Sequence, residues 1–286
     1  MAITAKMIND LRQLTNSGIM DCKKALTETN GDVEAAIKIL REKGLAIQVK
    51  RADKESKEGV IKALSAADGK TIAMAEVNCE TDFVAKTDNF QNFAAAVTAK
   101  VLEIGEDLGD SMKEEHMTIC SQTGENVKIH RAARYIQSGT GIVTSYIHMG
   151  GKVGVLAEVT CGKPETAANA LFSEFVHDVA LQIAAAAPRF ICSSEVPQAD
   201  IDAELEIKLN AMKEQKGKLP PESALPGIKM GMVNKFYSEI CLLDQPFIKN
   251  APGEKTTIKQ LLEKVSKEIG DEIKIARFTR FQLGAK

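Results

Sequence analysis

The sequence predicts an α+β protein that begins with a helical bundle and continues into two related halves. Three observations support this prediction. The first ~45 residues have only helical apolar spacing, the rest contains an internal repeat, and each copy of the repeat mixes strand and helix patterns. In each copy we expect a three-stranded sheet with helices on one face. The second copy is expected to be interrupted by an antiparallel helical hairpin.

Residues 1–46 are predicted to form a small bundle of three helices. The apolar face of the first helix is formed by residues at helical spacing, namely Ile8, Leu11 and Leu14. Asp32 can cap the third helix, and Gly44 is expected to end it. Charged residues without apolar periodicity follow, so 47–57 is predicted to be a linker.

The internal repeat appears when the sequence is displaced by 82 residues. Matching positions include Gly59 with Gly141, Glu76 with Glu158, Cys79 with Cys161 and Phe90 with Phe172. About eleven of roughly forty positions are identical, where chance would give two or three. A second match, displaced by 146, relates 127–135 to 273–281. The first copy is therefore predicted at 58–139 and the second at 140–286, with an insertion at about 190–245.

Each copy is predicted to contain a hairpin, a long helix, a shorter helix and a last strand. In the first copy the hairpin strands and long helix are expected at 60–66, 71–79 and 88–104. In the second copy they are expected at 142–148, 152–161 and 167–186, where Pro188 ends the helix.

The insertion is predicted to be a helical hairpin. Four apolar residues share one helical face: Ile201, Leu205, Leu209 and Met212. A Pro-rich turn follows, and 228–243 is expected to form the returning helix. Two roles are open, a stabilising decoration or an arm that grips a partner, since long insertions in compact domains are usually functional or disordered.

The loop between the second strand and the long helix differs between the copies. It reads ETDFVAK at 80–86 and GKPETAA at 162–168. A structural role for Phe83 would predict an apolar counterpart, but the counterpart is Glu165. An exposed aromatic ring beside the Asp82 carboxylate suits insertion into a partner's cleft. The alternative is that Phe83 folds back onto its own helix.

The composition argues against several classes of protein. The chain carries 37 Lys and Arg against 39 Asp and Glu, so a nucleic-acid binder with a concentrated basic excess is not expected. The sequence has no run of ~18 apolar residues, so no membrane span is predicted. The first residues mix charges into their apolar pattern, so they do not predict a signal peptide.

Catalytic and metal-binding motifs are not found in the sequence. The six Cys residues include no CxxC pair, the four His residues lack metal spacing, and no P-loop or GxGxxG occurs. Cys79 and Cys161 are expected to be small core residues in a reducing cytoplasm. We therefore expect no enzyme activity, no cofactor and no metal site. Basic residues recur in both copies and are expected to be solvated or paired with local carboxylates: Arg131, Arg134, Arg277 and Arg280.

Two segments resemble signatures of the bacterial elongation factor Ts family. They are VNCETDFVAK at 77–86 and LRQLTNSGIMDCKKAL at 11–26, and QPF at 245–247 also fits. The resemblance runs from about residue 3 to residue 284. In that family the N-terminal bundle resembles a ubiquitin-associated domain, the core consists of two related subdomains, and a coiled-coil hairpin interrupts the second.

The resemblance implies a cytoplasmic guanine-nucleotide exchange factor for elongation factor Tu, without a small-molecule substrate of its own. Four residues match the motif that dislodges magnesium from the GTPase: Thr81, Asp82, Phe83 and Val84. The implied partner-binding residues are Arg12, Ile19, Met20 and Lys23 in the bundle, and Tyr146 and His148 in the second copy. The alternative is an adaptor of the ubiquitin-associated type, or a ribosome-associated binding protein, without exchange activity.

Overall fold

The computed structural model describes residues 2–15, 17–51, 54–216 and 221–285. These residues form two compact units. The first comprises the described residues of Met1–Ile136, Ile147–Gly154 and Phe281–Lys286, and the second comprises those of Gln137–Tyr146 and Val155–Arg280. Asn16, part of the predicted linker and part of the Pro-rich turn lie outside the described residues. The sequence-based domain limits at 46, 57 and 139 stay predictions.

The predicted α+β class is confirmed, with three N-terminal helices followed by two three-stranded antiparallel sheets and their helices. The first elements are α1 Ala5–Thr15, α2 Ile19–Glu28, α3 Val33–Lys50, β1 Glu58–Ser65, β2 Thr71–Cys79, α4 Asp82–Ala85, α5 Asp88–Ile104, α6 Lys113–Thr123 and β3 Lys128–Ile136. They are followed by β4 Gly141–His148, β5 Val153–Cys161, α7 Pro164–Ala167, α8 Ala170–Ala186, α9 Gln198–Lys216, α10 Leu225–Ile240, α11 Ile258–Ile269 and β6 Ile273–Gln282.

The N-terminal bundle packs around buried Leu11, Leu26 and Leu40. The predicted inward position of Leu14 is wrong, because its side chain is 69% exposed. Thr15 lies inward instead, four residues after Leu11, and its hydroxyl donates a hydrogen bond to the Leu11 carbonyl oxygen at 2.8 Å. The apolar surface of α1 is therefore narrower than its sequence predicts.

Gly44 does not end the third helix, as the sequence suggested, because α3 continues to Lys50. Gly44 instead lets α3 pack closely against α6. A Cβ atom at Gly44 would overlap the carbonyl oxygen of Met117 and would also meet Ser121 Cβ at 3.2 Å. The first residues of the predicted linker are thus helical, and the missing side chain serves helix packing rather than termination.

The first sheet has the strand order β1-β2-β3, and both neighbouring pairs are antiparallel. The long helix α5 has the predicted limits and buries Phe90, Phe93 and Val97 in the same core as the sheet. The second sheet has the order β4-β5-β6. Phe172 and Phe175 of α8, which match the α5 aromatics in the repeat, are buried too. The repeat therefore corresponds to repeated packing.

Each copy buries one glutamate of its central strand in an ion pair. Glu76 Oε2 lies 2.7 Å from Arg131 Nε, and its side chain is fully buried. Glu158 Oε2 lies 2.7 Å from Arg277 Nε, with a 1% exposed side chain. The prediction of pairing with local carboxylates is confirmed for Arg131 and Arg277. The backbone amide of Gly284 also donates to Glu76 Oε1 at 3.0 Å.

The insertion forms the predicted hairpin from α9 and α10, whose base buries Phe236 and Cys241. The returning helix α10 begins at Leu225, three residues before the predicted start at 228. Pro226 lies in its first turn, where a missing backbone N–H removes no helical hydrogen bond. Within the described ranges, no helix is both long and apolar enough to cross a membrane.

Gly44→Ala is expected to lower the free energy of unfolding by about 1–3 kcal/mol, because the added methyl group forces α3 and α6 apart. Urea denaturation measures this loss. Gly231→Ala is the matched control, since Gly231 lies within α10 and a Cβ there meets nothing within 4 Å. That change should stabilise the helix by roughly 0.5–1 kcal/mol. Stabilisation by both substitutions would contradict the packing role of Gly44.

Candidate functional site

The loop that follows β2 forms one helical turn, α4, which presents Phe83 to solvent. The Thr81 hydroxyl oxygen caps this turn by accepting a hydrogen bond from the Val84 amide at 3.3 Å. Ala85 is buried and Val84 packs partly against the core of the first sheet. The Phe83 side chain is 80% exposed, so it does not fold back onto its own helix. The turn thus has an anchored side and an exposed aromatic tip.

Asp82 stands beside that aromatic tip as an ionised carboxylate. Its Oδ2 accepts a hydrogen bond from Lys86 Nζ at 2.6 Å. This hydrogen bond is the main cause that lowers the pKa of the Asp82 carboxyl. Both side chains are exposed, so the pair contributes little to stability, and a competing partner could separate it at low cost.

Glu125 holds the residues that lead into the turn. Its Oε2 accepts hydrogen bonds from the backbone amides of Glu80 and Thr81, at 3.0 Å and 3.1 Å. Its Oε1 accepts a third from the Thr81 hydroxyl, at 2.6 Å. In return, the amide of Asn126 donates to Glu80 Oε1 at 2.8 Å. These four hydrogen bonds tie the start of the turn to the segment that precedes β3.

Glu80 also connects the turn to the end of the N-terminal bundle. The Arg51 guanidinium, immediately after α3, donates through Nε to Glu80 Oε1 at 2.7 Å and through a second nitrogen to Oε2 at 2.6 Å. This two-point contact lowers the pKa of the Glu80 carboxyl. The Asn126 side chain donates to the Arg51 carbonyl oxygen at 2.8 Å. The turn is therefore fixed on two sides.

The second copy contains the same frame without the aromatic tip. Asp271 occupies the repeat position of Glu125 and accepts hydrogen bonds from the Lys163 amide at 2.9 Å and the Thr166 hydroxyl at 2.6 Å. The turn it holds is α7, with exposed Glu165 in place of Phe83. Gly162 replaces Glu80, since a Cβ there would lie 2.5 Å from Asp271 Oδ1. The carboxylate clamp is thus common to both copies, whereas the exposed ring is not.

The thiol at the start of the turn is not a nucleophile at neutral pH. Cys79 is fully buried, and its Sγ donates a hydrogen bond to the Thr81 carbonyl oxygen at 3.2 Å. Burial raises the pKa of this thiol to about 12. Its counterpart Cys161 is half-buried and makes the same contact with the Lys163 carbonyl oxygen at 3.4 Å. In the part of the chain that is described, no cluster of three His, Cys, Asp or Glu residues could hold a metal ion.

The candidate partner-binding residues of the bundle lie on its surface. Ile19 is 50% exposed and Met20 is 70% exposed at the start of α2. Arg12 and Lys23 are exposed as well. Exposed large apolar side chains close together in sequence, between charged residues, are typical of a protein-binding surface.

The two candidate partner-binding residues of the second copy lie on β4. Tyr146 is half-buried, with its ring edge-on to the His177 ring at 6.0 Å between centroids. His148 is exposed at the end of the strand. Sequence reasoning found neither Glu125 nor Arg51, although Glu125 and Asp271 coincide when the sequence is displaced by 146 residues.

The chain is similar to known proteins over nearly its whole length. A family model described as "Elongation factor TS" matches residues 80–285. The protein named "Elongation factor Ts" in Nitratidesulfovibrio vulgaris (strain DP4) is 42% identical over 285 residues, which cover 99% of this chain and 96% of that protein. The protein of the same name in Clostridium perfringens (strain SM101 / Type A) is 42% identical over 294 residues, covering 99% and 93%. In Desulfovibrio desulfuricans (strain ATCC 27774 / DSM 6949 / MB) it is 39% identical over 291 residues, covering 100% and 99%.

Proposed function

This chain belongs to the elongation factor Ts family of translation elongation proteins, and from that premise we propose that it releases GDP from elongation factor Tu. In this proposal it binds the GDP-bound GTPase, dislodges the magnesium ion beside the nucleotide and leaves a site that GTP can fill. The factor itself is not an enzyme, because it makes and breaks no covalent bond.

The observation that carries the proposal is the exposed ring of Phe83 on an anchored turn. An aromatic side chain that is 80% exposed gains free energy only when a partner covers it. The ionised Asp82 carboxylate next to it adds a negative charge beside the partner's metal site. The second copy holds an equivalent turn that ends in Glu165, so the frame alone does not require an aromatic residue.

The chemistry of the bound nucleotide explains how a wedge, meaning the Phe83 ring inserted beside the metal ion, can weaken GDP binding. GDP is held in such GTPases by backbone amides around its phosphates and by a magnesium ion that neutralises them. Loss of the ion leaves phosphate charge uncompensated and weakens GDP binding. The factor therefore does not have to touch GDP. It has to bind the GTPase more tightly when the metal and nucleotide are absent.

The binding energy that displaces the metal ion must come from a larger contact surface than the Phe83 ring alone. Changing occupancy from about 1:99 to 99:1 requires about 5.5 kcal/mol of differential binding. We assign the remaining contacts to surface residues of the bundle and of β4, which are Arg12, Ile19, Met20, Lys23, Tyr146 and His148. In this division, the bundle and β4 bind the GTPase while Asp82 and Phe83 convert binding into displacement of the metal ion.

The test is release of a fluorescent GDP analogue from elongation factor Tu, chased with unlabelled GDP. This protein is expected to raise the release rate by roughly 100-fold or more, which corresponds to a barrier lowered by about 2.7 kcal/mol or more. At equilibrium, saturating factor should weaken GDP binding by the same ratio as saturating GDP weakens binding of the factor. No acceleration by the wild-type protein would reject the exchange function and leave the alternative of a binding protein without exchange activity.

A further inference from the structure

We infer that Glu125 is a positioning residue for Phe83, holding the α4 turn so that the ring meets its partner in one orientation. The inference rests on the proposed function, because it assigns a residue to the same exchange reaction. Glu125 need not contact the partner for this role. It acts through the backbone of Glu80 and Thr81, which leads directly into the turn.

The turn needs an external anchor because it is too short to be stable alone. α4 contains four residues, and the first helical turn is the costly step of helix formation. Phe83 is too exposed to hold the turn by burial. The Thr81 hydroxyl both caps the turn and donates to Glu125 Oε1, so one side chain links the cap to the anchor.

A fixed turn makes the ring a better wedge. A flexible tip would lose conformational freedom on binding, and that cost would be subtracted from the energy available for displacing the metal. An anchored tip has already lost that freedom when the protein folded. The orientation of Phe83 is then set by buried Ala85 together with the three hydrogen bonds that Glu125 accepts from two amides and a hydroxyl.

The second copy separates this role from simple stabilisation. Asp271 holds the α7 turn, which carries no exposed aromatic side chain. It accepts hydrogen bonds from the Lys163 amide, at the repeat position of the Thr81 amide, and from the Thr166 hydroxyl within the turn. Both carboxylates follow the glycine that ends a helix, Gly124 or Gly270. Loss of either carboxylate should loosen the turn that it holds, but only loss of Glu125 should slow the release of GDP.

The test measures the release rate as a function of factor concentration for Glu125→Gln. The glutamine side chain is of similar size, but it has no charge and can place an NH2 group against the amide donors of Glu80 and Thr81. The release rate at saturating factor should therefore fall about tenfold, equivalent to ~1.4 kcal/mol. The concentration at half saturation should change less than about twofold, because the bundle surface is untouched. Glu125→Asp keeps the charge and should restore part of the rate, limited by its shorter side chain and by the Cβ of Glu80, which Gly162 lacks beside Asp271.

Two controls make the inference falsifiable. Asp271→Asn should leave the release rate unchanged, and an equal loss there would reduce Glu125 to a structural residue. In a Phe83→Ala background, Glu125→Gln should cause little further loss, because it acts through that ring. Fully additive losses would overturn the inference.

Hydrogen exchange gives a readout that does not depend on nucleotide release. The amides of Val84 and Ala85, which bond to Thr81, should exchange faster in Glu125→Gln than in wild type. Unchanged protection would overturn the anchoring role even if release slowed. If wild type fails to accelerate GDP release, the proposed function and the role of Glu125 in it both fail. Faster hydrogen exchange of these amides in Glu125→Gln would still establish that Glu125 holds the turn.

Discussion

Phe83→Ala is expected to remove most of the acceleration of GDP release while leaving the protein folded. An aromatic residue at the centre of an interface typically contributes at least about 2 kcal/mol, which corresponds to roughly a 30-fold loss of rate. The ring is 80% exposed in the free protein. Truncation of such a side chain usually changes the free energy of unfolding by less than about 0.5 kcal/mol.

The measurement is the release rate of fluorescent GDP over a titration with the variant, together with its urea unfolding midpoint. Glu165→Ala is the matched control, because Glu165 occupies the same position in the α7 turn. It should leave both release and stability unchanged. Full activity of Phe83→Ala would reject the wedge without rejecting exchange, and a shifted unfolding midpoint would mean that the ring contributes to the fold.

Arg131→Ala is expected to cause a large loss of stability, because it leaves the Glu76 carboxylate buried without its cation. Removing one partner of a buried pair typically costs about 3–5 kcal/mol. The guanidinium also lies 4.4 Å from the centre of the Phe281 ring and donates to the Gln282 carbonyl oxygen at 2.9 Å. The substitution therefore removes packing contacts as well as charge.

Arg277→Ala tests the same pair in the second copy and should cost less. The Arg277 side chain is 45% exposed, against 26% for Arg131, so water can better solvate the remaining Glu158. Equilibrium urea unfolding measures both losses. Adding Glu76→Gln to Arg131→Ala should recover part of the stability, because the unpaired charge is removed. A loss below about 0.5 kcal/mol for Arg131→Ala would contradict the importance of the pair.

Much of the fold could be predicted because the repeat presents the pattern of each strand and helix twice in the sequence. The limits of α5 follow from apolar spacing that recurs in α8. The errors arose where one residue type has two structural uses. Gly44 fits a helix end or a close helix contact, and only the position of α6 decides between them. Leu14 and Thr15 lie three and four residues after Leu11, so either could face the core of the bundle. The apolar residue is the natural choice from sequence, but the structure buries Thr15 and exposes Leu14.

The candidate site could be predicted at its tip but not at its anchors. Phe83 stood out because the second copy has Glu165 at the matching position. Arg51 and Glu125 lie 29 and 44 residues from the backbone and side-chain groups they hold, and no local pattern indicates such contacts. Polar anchors of this kind are set by tertiary geometry. The residues that orient such a site are therefore harder to infer from sequence than the exposed residue that we propose contacts the partner.

The hydrogen bond between Glu76 and Gly284 has a consequence for how the protein is made. The two residues are 208 positions apart in the chain. At 5–20 residues per second, a ribosome needs roughly 10–40 s to synthesise the intervening segment. During that time the nascent first sheet holds an acidic side chain whose final amide donor does not yet exist. The native hydrogen bonding of Glu76 can therefore be completed only after Gly284 has been synthesised.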